Sequence, residues 1–224
     1  DLKSIPLLSS IVLIQPLHLA LHKLDNSISN TLSKFMTYDL IQNGFVVLDY
    51  DENISEHLQQ IDKIQFEDLY LKNSNWRCKI CKIKDGKLFD VLLKYEKMAF
   101  QIYENILNIN LIQHYNSEES FSSIIYYDKN SGFHGEHTDY GFFNIVINND
   151  SEDCMYYKSN NEWKLFNAKN KILIMNGDEI EKISNGKMKA VNHKVIKPYG
   201  FERYIVSKIC YPKNKRDELL KKVN

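Results

Sequence analysis

The chain has 224 residues, 43% of them hydrophobic and 26% charged, with 29 Lys plus Arg balanced by 29 Asp plus Glu. That length and composition suit one sizeable globular domain, or one domain with a helical extension. A nucleic-acid binder usually carries a basic excess, and this chain has none. Four cysteines, Cys78, Cys81, Cys154 and Cys210, do not make a disulfide framework in a chain of this length, and fit a reducing, cytoplasmic setting.

Ile5 to Leu24 is rich in Leu and Ile but is interrupted by Pro6, Pro16, His18 and His22. It falls short of a clean membrane span, and it lacks the basic start and small-residue cleavage site of a signal peptide. It reads as a buried extended segment plus a short helix. Ser27 to Gln42 places Ile28, Leu32, Phe35, Met36 and Leu40 at helical spacing, with Asn43-Gly44 as the C-cap. Phe45 to Leu48 is a short buried strand, and Ser55 to Ile64 a short helix capped by Ser55. Cys78 and Cys81 form a CxxC pair. A structural zinc needs two more close ligands, so two ordinary thiols at a strand or loop is the simpler reading. Lys87 to Leu107 is the strongest helix. Leu88, Val91, Leu92, Tyr95, Met98, Ala99, Ile102, Tyr103, Ile106 and Leu107 form a wide apolar stripe, read as core packing.

The second half changes character. Short β-branched and aromatic runs alternate with turn residues: Phe121–Tyr127, Phe142–Ile147, Met155–Tyr157, Trp163–Phe166, Ile172–Met175, Lys189–Val195 and Arg203–Tyr211. Asn185-Gly186 is a strong turn signal. The expected class is α+β, mainly β. A helix-rich region over 1–116 packs on a sandwich or jelly-roll core over 117–224, the two forming one compact unit. Arg216 to Val223 looks like the start of a surface helix.

His137-Thr138-Asp139 carries the chemistry. On a strand, residues two apart share a face. A second imidazole from His193 completes two histidines and one carboxylate, the set that holds non-haem Fe(II) while leaving other positions open. A lone HxD is weak evidence, because a turn with a surface His and an Asp cap gives the same letters. His134 stands three before His137, which on a regular strand puts it on the opposite side; it reads as a loop residue, with a supporting place behind the ligands as the lesser alternative. His18, His22, His57 and His114 carry no ligand pattern.

The motif is not alone. HGEHTDYGFFNIVINN is followed by NEWKLFNAKNKILIMNGDEIEKISNGKMKAVNHKVI and then by ERYIVSKICYP. This succession resembles the double-stranded β-helix core of the Fe(II)- and 2-oxoglutarate-dependent dioxygenases, in the isopenicillin N synthase-like branch. HTDYG matches the first metal motif, NGDEIEKISNG with His193 the second, and Trp163 the tryptophan before the central strand. The likeness is strong over roughly Ser123 to Pro212 and weaker over Asp39 to Leu48. It implies that His137, Asp139 and His193 ligate iron, with 2-oxoglutarate and O2 as co-substrates. It also implies that Arg203, helped by Tyr127, grips the far carboxylate of 2-oxoglutarate. Succinate and CO2 would be released as an unidentified small molecule is oxidised, with hydroxylation the simplest outcome.

Two positions depart from that pattern. The family's Ser two residues after the Arg is Ile205, and the Asn often found two before the Tyr is Ile125. Loss of one hydrogen bond to a charged group removes on the order of 1.5–3 kcal/mol, which weakens such a clamp while Arg still pairs with a carboxylate. The departures leave two alternatives standing: an iron oxygenase that does not use 2-oxoglutarate, and an inactive binding or scaffold member of the family. Tyr140, Phe142 and Phe143 follow the motif, and strand packing is their simpler reading.

Overall fold

The structure, a computed structural model, describes residues 26–49, 67–70, 77–117, 120–127, 134–148, 155–167, 171–196 and 203–212. Side chains are described there except at 26–33, 67–79, 121, 148 and 203–207. The segments Ile5–Leu24, Ser55–Ile64 and Arg216–Val223, for which structure is expected above, lie outside the described residues, as does Cys154.

Helix α1 (Asn26–Gln42) leads into strand β1 (Phe45–Asp49) through Asn43 and Gly44. The Asn43 amide donates to the Asp39 carbonyl (2.8 Å), and Gly44 takes a positive φ of 80°. A side chain at Gly44 would meet the Lys189 carbonyl at 2.8 Å, so glycine is required for closeness as well as for backbone angle. Strands β2 (Glu67–Tyr70) and β3 (Arg77–Ile83) precede the long helix α2 (Lys87–Leu107), which ends at Asn108 in the left-handed region. A 3-10 turn (Leu111–His114) then leads to β4 (Phe121–Tyr127), β5 (His134–His137), β6 (Phe143–Asn148) and β7 (Met155–Ser159). After these come β8 (Glu162–Leu165), β9 (Lys171–Asn176), the short helix α3 (Asp178–Ile183), β10 (His193–Val195) and β11 (Arg203–Cys210).

The strands form two sheets. A seven-stranded sheet runs β1-β9-β6-β11-β4-β3-β2, and a four-stranded sheet runs β5-β10-β7-β8. Among the described residues the ladders between neighbours are antiparallel. Period-two alternation divides the large sheet between two cores. Val46, Leu48, Ile124, Phe143, Ile145, Ile147, Ile172 and Ile174 pack against Met36 and Leu40 of α1 and Leu92, Tyr95, Ala99 and Tyr103 of α2. Their sequence neighbours Phe45, Val47, Ile125, Tyr127, Val146, Leu173 and Met175 turn inward and meet Met155, Tyr157, Phe166, Val191 and Val195. Phe45, Tyr157 and Phe166 plug this inner layer, with ring centroids 4.7–5.0 Å apart. Among the described residues no helix is long and apolar enough to cross a membrane.

Several expectations are corrected. Phe35 does not join the core; it is 64% exposed, because it stands 100° round α1 from the buried Met36. The run Lys189–Val195 is a strand only over His193–Val195. The residues before it are held by other means: Ala190 N donates to the Glu181 carboxylate (2.8 Å) and Val191 N to the Asn176 carbonyl (3.2 Å). Asn185-Gly186 closes α3 rather than a hairpin, with Gly186 N donating to the Glu181 carbonyl (2.8 Å) across the helix end. The CxxC pair lies on strand β3, where the Cys81 thiol donates to the Lys82 carbonyl (3.6 Å). Beneath α2, Glu96 is buried against Lys208 Nζ (3.6 Å), Cys210 Sγ (3.5 Å) and the Tyr115 hydroxyl, an ionic cluster inside the outer core.

The loop after β5 is fastened to α3 at close quarters. Asp178 N donates to the Asp139 carbonyl (3.0 Å), Glu179 N to Gly141 (2.9 Å) and Gly177 N to Phe142 (2.8 Å). Amides at the start of α3 that have no partner within the helix are thus satisfied by the loop. A β-carbon at Gly177 would lie 2.4 Å from the Gly141 carbonyl oxygen and 3.0 Å from that of Asp139. Gly177→Ala is therefore expected to destabilise the protein by about 1–3 kcal/mol in urea denaturation, the range for forcing atoms into a packed site. An unchanged midpoint would show that the loop yields freely.

Candidate metal centre

His137 closes β5 and His193 opens β10, and the two are directly paired across the ladder. Asp139 lies two residues past β5, in the loop that α3 fastens. The HxD spacing therefore works through a turn of the chain, not through strand alternation. His137 Nε2 lies 3.7 Å from Asp139 Oδ1, and His193 Nε2 lies 3.8 Å from Oδ2. One ligand atom from each of the three residues falls within 4.8 Å of the others.

Each imidazole is oriented from behind. His137 Nδ1 donates to the Gly135 carbonyl (2.7 Å) and His193 Nδ1 to the Val191 carbonyl (2.9 Å). Those bonds place the ring proton on Nδ1 and leave the Nε2 lone pair facing the carboxylate. His193 is 4% exposed, whereas the His137 side chain is 22% exposed at the mouth. Burial pushes the Asp139 carboxyl up. The facing His193 and His137 and a hydrogen bond from Asn144 Nδ2 to Oδ2 (2.8 Å) outweigh it, so the group sits below its ordinary value. Burial, then the neighbouring His193, hold His137 below the usual imidazole range. Two neutral nitrogen donors and one carboxylate, open on one side, suit a divalent transition metal with free positions for exogenous ligands.

The other residues expected at the site are placed less fully. Tyr127 ends β4 in the inner core, 2% exposed. Position 203 pairs with it across the β4–β11 ladder, and position 205 pairs with Ile125. These positions share the sheet face of Tyr127 and Ile125, as direct antiparallel partners do. The Arg203 and Ile205 side chains lie outside the described residues. Tyr140 is 40% exposed, while Phe142 and Phe143 pack in the outer core against Phe100.

Three residues near the triad were not legible as site residues. Asn144 supports the carboxylate; its signal was a lone amide in the apolar run FFNIVI. Tyr211 lies near Asp139, whose charge, after burial, pushes its hydroxyl up. His134 is the third. It lies on β5, and its ring stacks on His137 with centroids 3.5 Å apart and planes 30° from parallel. The register explains this placement. His137 pairs with His193 and His134 with Val195, so three steps on β5 oppose two on β10. That bulge cancels the alternation and brings residues three apart onto one side.

Residues 109–212 match the family model described as the 2OG-Fe(II) oxygenase superfamily. The 2-oxoglutarate-dependent dioxygenase traH of Penicillium crustosum is 33% identical over 75 residues. The match takes in 32% of this chain and 23% of that protein, so the chain spans about a quarter of the curated relative. Among solved structures, full-length NcT7H of Neurospora crassa in complex with alpha-KG is 15% identical, with a TM-score of 0.61 over 84% of this chain and 80% of its own. JOX2 in complex with 2OG, Fe and JA is 12% identical, with a TM-score of 0.64 over 84% and 73%. At such identities the structural likeness establishes the fold, the double-stranded β-helix expected from the strand pattern.

Metal-free protein provides a test of the electrostatics. Burial, then the adjacent His137, push His134 from 6.5 down to about 3. A depressed imidazole contributes stability that is fully present above about pH 6.5 and is lost as pH falls toward the folded value. His137 shifts in the same direction. The urea midpoint in the presence of a chelator is therefore expected to fall steadily from pH 7 to pH 5. A flat profile over that window would contradict the buried, neutral state of these rings.

Proposed function

We propose, from the premise that this chain belongs to the 2OG-Fe(II) oxygenase superfamily, that it is an Fe(II)- and 2-oxoglutarate-dependent dioxygenase acting on a small molecule. The observation that carries this reading is the convergence of His137 and His193 Nε2 on the Asp139 carboxylate at one open end of the sheets. We assign the three as the iron ligands. Bound Fe(II), with O2 and a 2-oxo acid, supplies the oxidising power that converts the 2-oxo acid to succinate and CO2 while the substrate is hydroxylated.

The chain's own residues orient and enclose. The carbonyls of Gly135 and Val191 anchor the two imidazoles at Nδ1 and keep the ring proton there, and Asn144 holds the carboxylate. Arg203, across from Tyr127 in register, is assigned to the distal carboxylate of 2-oxoglutarate, where guanidinium and carboxylate pair in parallel. The Phe45–Tyr157–Phe166 plug keeps water from the inner layer behind the site. The buried reduced thiol of Cys210 supports an intracellular, cytoplasmic setting. A second reading, an iron oxygenase that uses no 2-oxoglutarate, is favoured by one observation. Ile125 stands directly opposite position 205, so two positions polar in the family are apolar here and adjacent.

Anaerobic addition of 2-oxoglutarate to the Fe(II)-loaded protein is expected to produce the weak visible band of the chelate, and admission of O2 to yield succinate. His137→Ala and Asp139→Ala are each expected to abolish succinate formation. Full activity in either would refute the ligand assignment, and metal uptake without the band would favour the second reading. Ile205→Ser is expected to lower KM for 2-oxoglutarate on the order of tenfold, the worth of one restored hydrogen bond to a charged group. An unchanged KM would remove position 205 from the co-substrate pocket.

A further inference from the structure

His193 and His137 are held unequally. His193 is buried, with its ring set among inner-core residues and bonded to Val191, which precedes it by two. His137 is more exposed, and its Nδ1 donates to Gly135, within the same bulge. A bond at one ring atom fixes where the imidazole is anchored but leaves its plane to swing about that anchor. The structure supplies a flat surface for that plane. His134 lies against it at 3.5 Å between centroids and 30° from parallel, while the His193 ring meets His137 at 4.2 Å and a steeper 52°. Of these two ring contacts, the one with His134 is the closer and the more nearly parallel.

The bulge that makes this contact is itself anchored. Glu136, between Gly135 and His137, points to the outer face of the small sheet. There its carboxylate accepts from Lys158 Nζ (2.8 Å) and from Asn192 Nδ2 (2.7 Å), next to His193. The irregular register of this edge strand is therefore tied to β7 and to the residue before β10, and the placement of His134 over His137 follows from it.

We infer that His134 is a positioning residue for the metal centre: its ring face holds the His137 imidazole in the plane that aims Nε2 at the site. Coordination at Nε2 draws electron density from the His137 ring, and an electron-poor ring gains from a stacked aromatic face. A ring contact of this kind is worth about a few-fold to tenfold in an equilibrium constant. The inference rests on the reading of His137, Asp139 and His193 as ligands, so the experiment includes controls for that reading.

The experiment is anaerobic titration of the metal-free chain with Co(II), followed by its visible ligand-field bands and by competition with a chelator. Wild type, His134→Ala, His134→Phe and His137→Ala are compared, with urea midpoints recorded for each metal-free protein. The expected result is about fivefold weaker Co(II) binding in His134→Ala. His134→Phe, which keeps a flat ring, is expected to restore binding to within twofold of wild type with unchanged bands. Wild-type affinity in His134→Ala would overturn the inference, as would equal losses in the two variants. Altered bands in His134→Phe would also overturn it, because His134 would then be a ligand itself. No Co(II) uptake by wild type, or uptake unaffected by His137→Ala, would overturn the metal reading and this inference with it.

Discussion

A carboxylate in a confined pocket dictates the rest of this molecule. The Asp139 side chain is only 11% exposed, and removing an ionised carboxylate from water costs several kcal/mol unless partners compensate. Here the partners are two imidazole edges and one amide. None can be moved far, because each is attached to a different part of the fold. His137 belongs to β5, His193 to β10 and Asn144 to β6 of the opposite sheet. The carboxylate thus joins the two sheets at their open end, and the arrangement that steadies it also leaves three donor atoms facing one space.

Backbone contacts set the accuracy of that arrangement. The start of α3 grips the loop around Asp139 by its carbonyls, and two glycines allow the approach. Behind His193, the Asn176 side chain acts as a hub. It accepts from the Tyr103 hydroxyl (2.7 Å) and donates to the carbonyls of Leu40 (2.9 Å) and Lys189 (3.1 Å). One buried amide therefore ties α1, α2 and the approach to His193 to the end of β9. The helices on the outer face are part of what aims the three donor side chains, although they contribute no side chain to the triad.

Much of this was legible in the sequence, for identifiable reasons. α2 announced itself through a sustained apolar stripe, and β1, β4, β6 and β9 through β-branched runs, because burial on both faces leaves an unmistakable composition. The triad was legible because HxD and His193 fall inside an ordered series of motifs. What escaped has a common cause. β2 and β3 are edge and near-edge strands, and β3 carries Arg77, Lys79 and Lys82; such charge, which edges tolerate, left β2 without an expectation and the CxxC pair open between strand and loop. β5 is only HGEH, and α3 only DEIEKI; both exist because of their neighbours rather than their own propensity. His134 was assigned to the wrong side because a bulge is a property of two strands, and one strand's letters do not display it. Glu96, buried under α2, was hidden by a stripe wide enough to swallow one carboxylate.

The hub at Asn176 has a consequence for the order of events during synthesis. Its partners Tyr103 and Leu40 are separated from it by 73 and 136 residues. β1, near the beginning, completes its pairing only with β9, and β11 must thread between β6 and β4. Pairings of such long range form late, since loop closure must precede any reward from contact. The nascent chain on the ribosome can assemble α2 and its local turn, but it cannot present His193 to His137. The three-donor cluster is therefore a product of the finished fold, rather than a seed around which the two sheets condense.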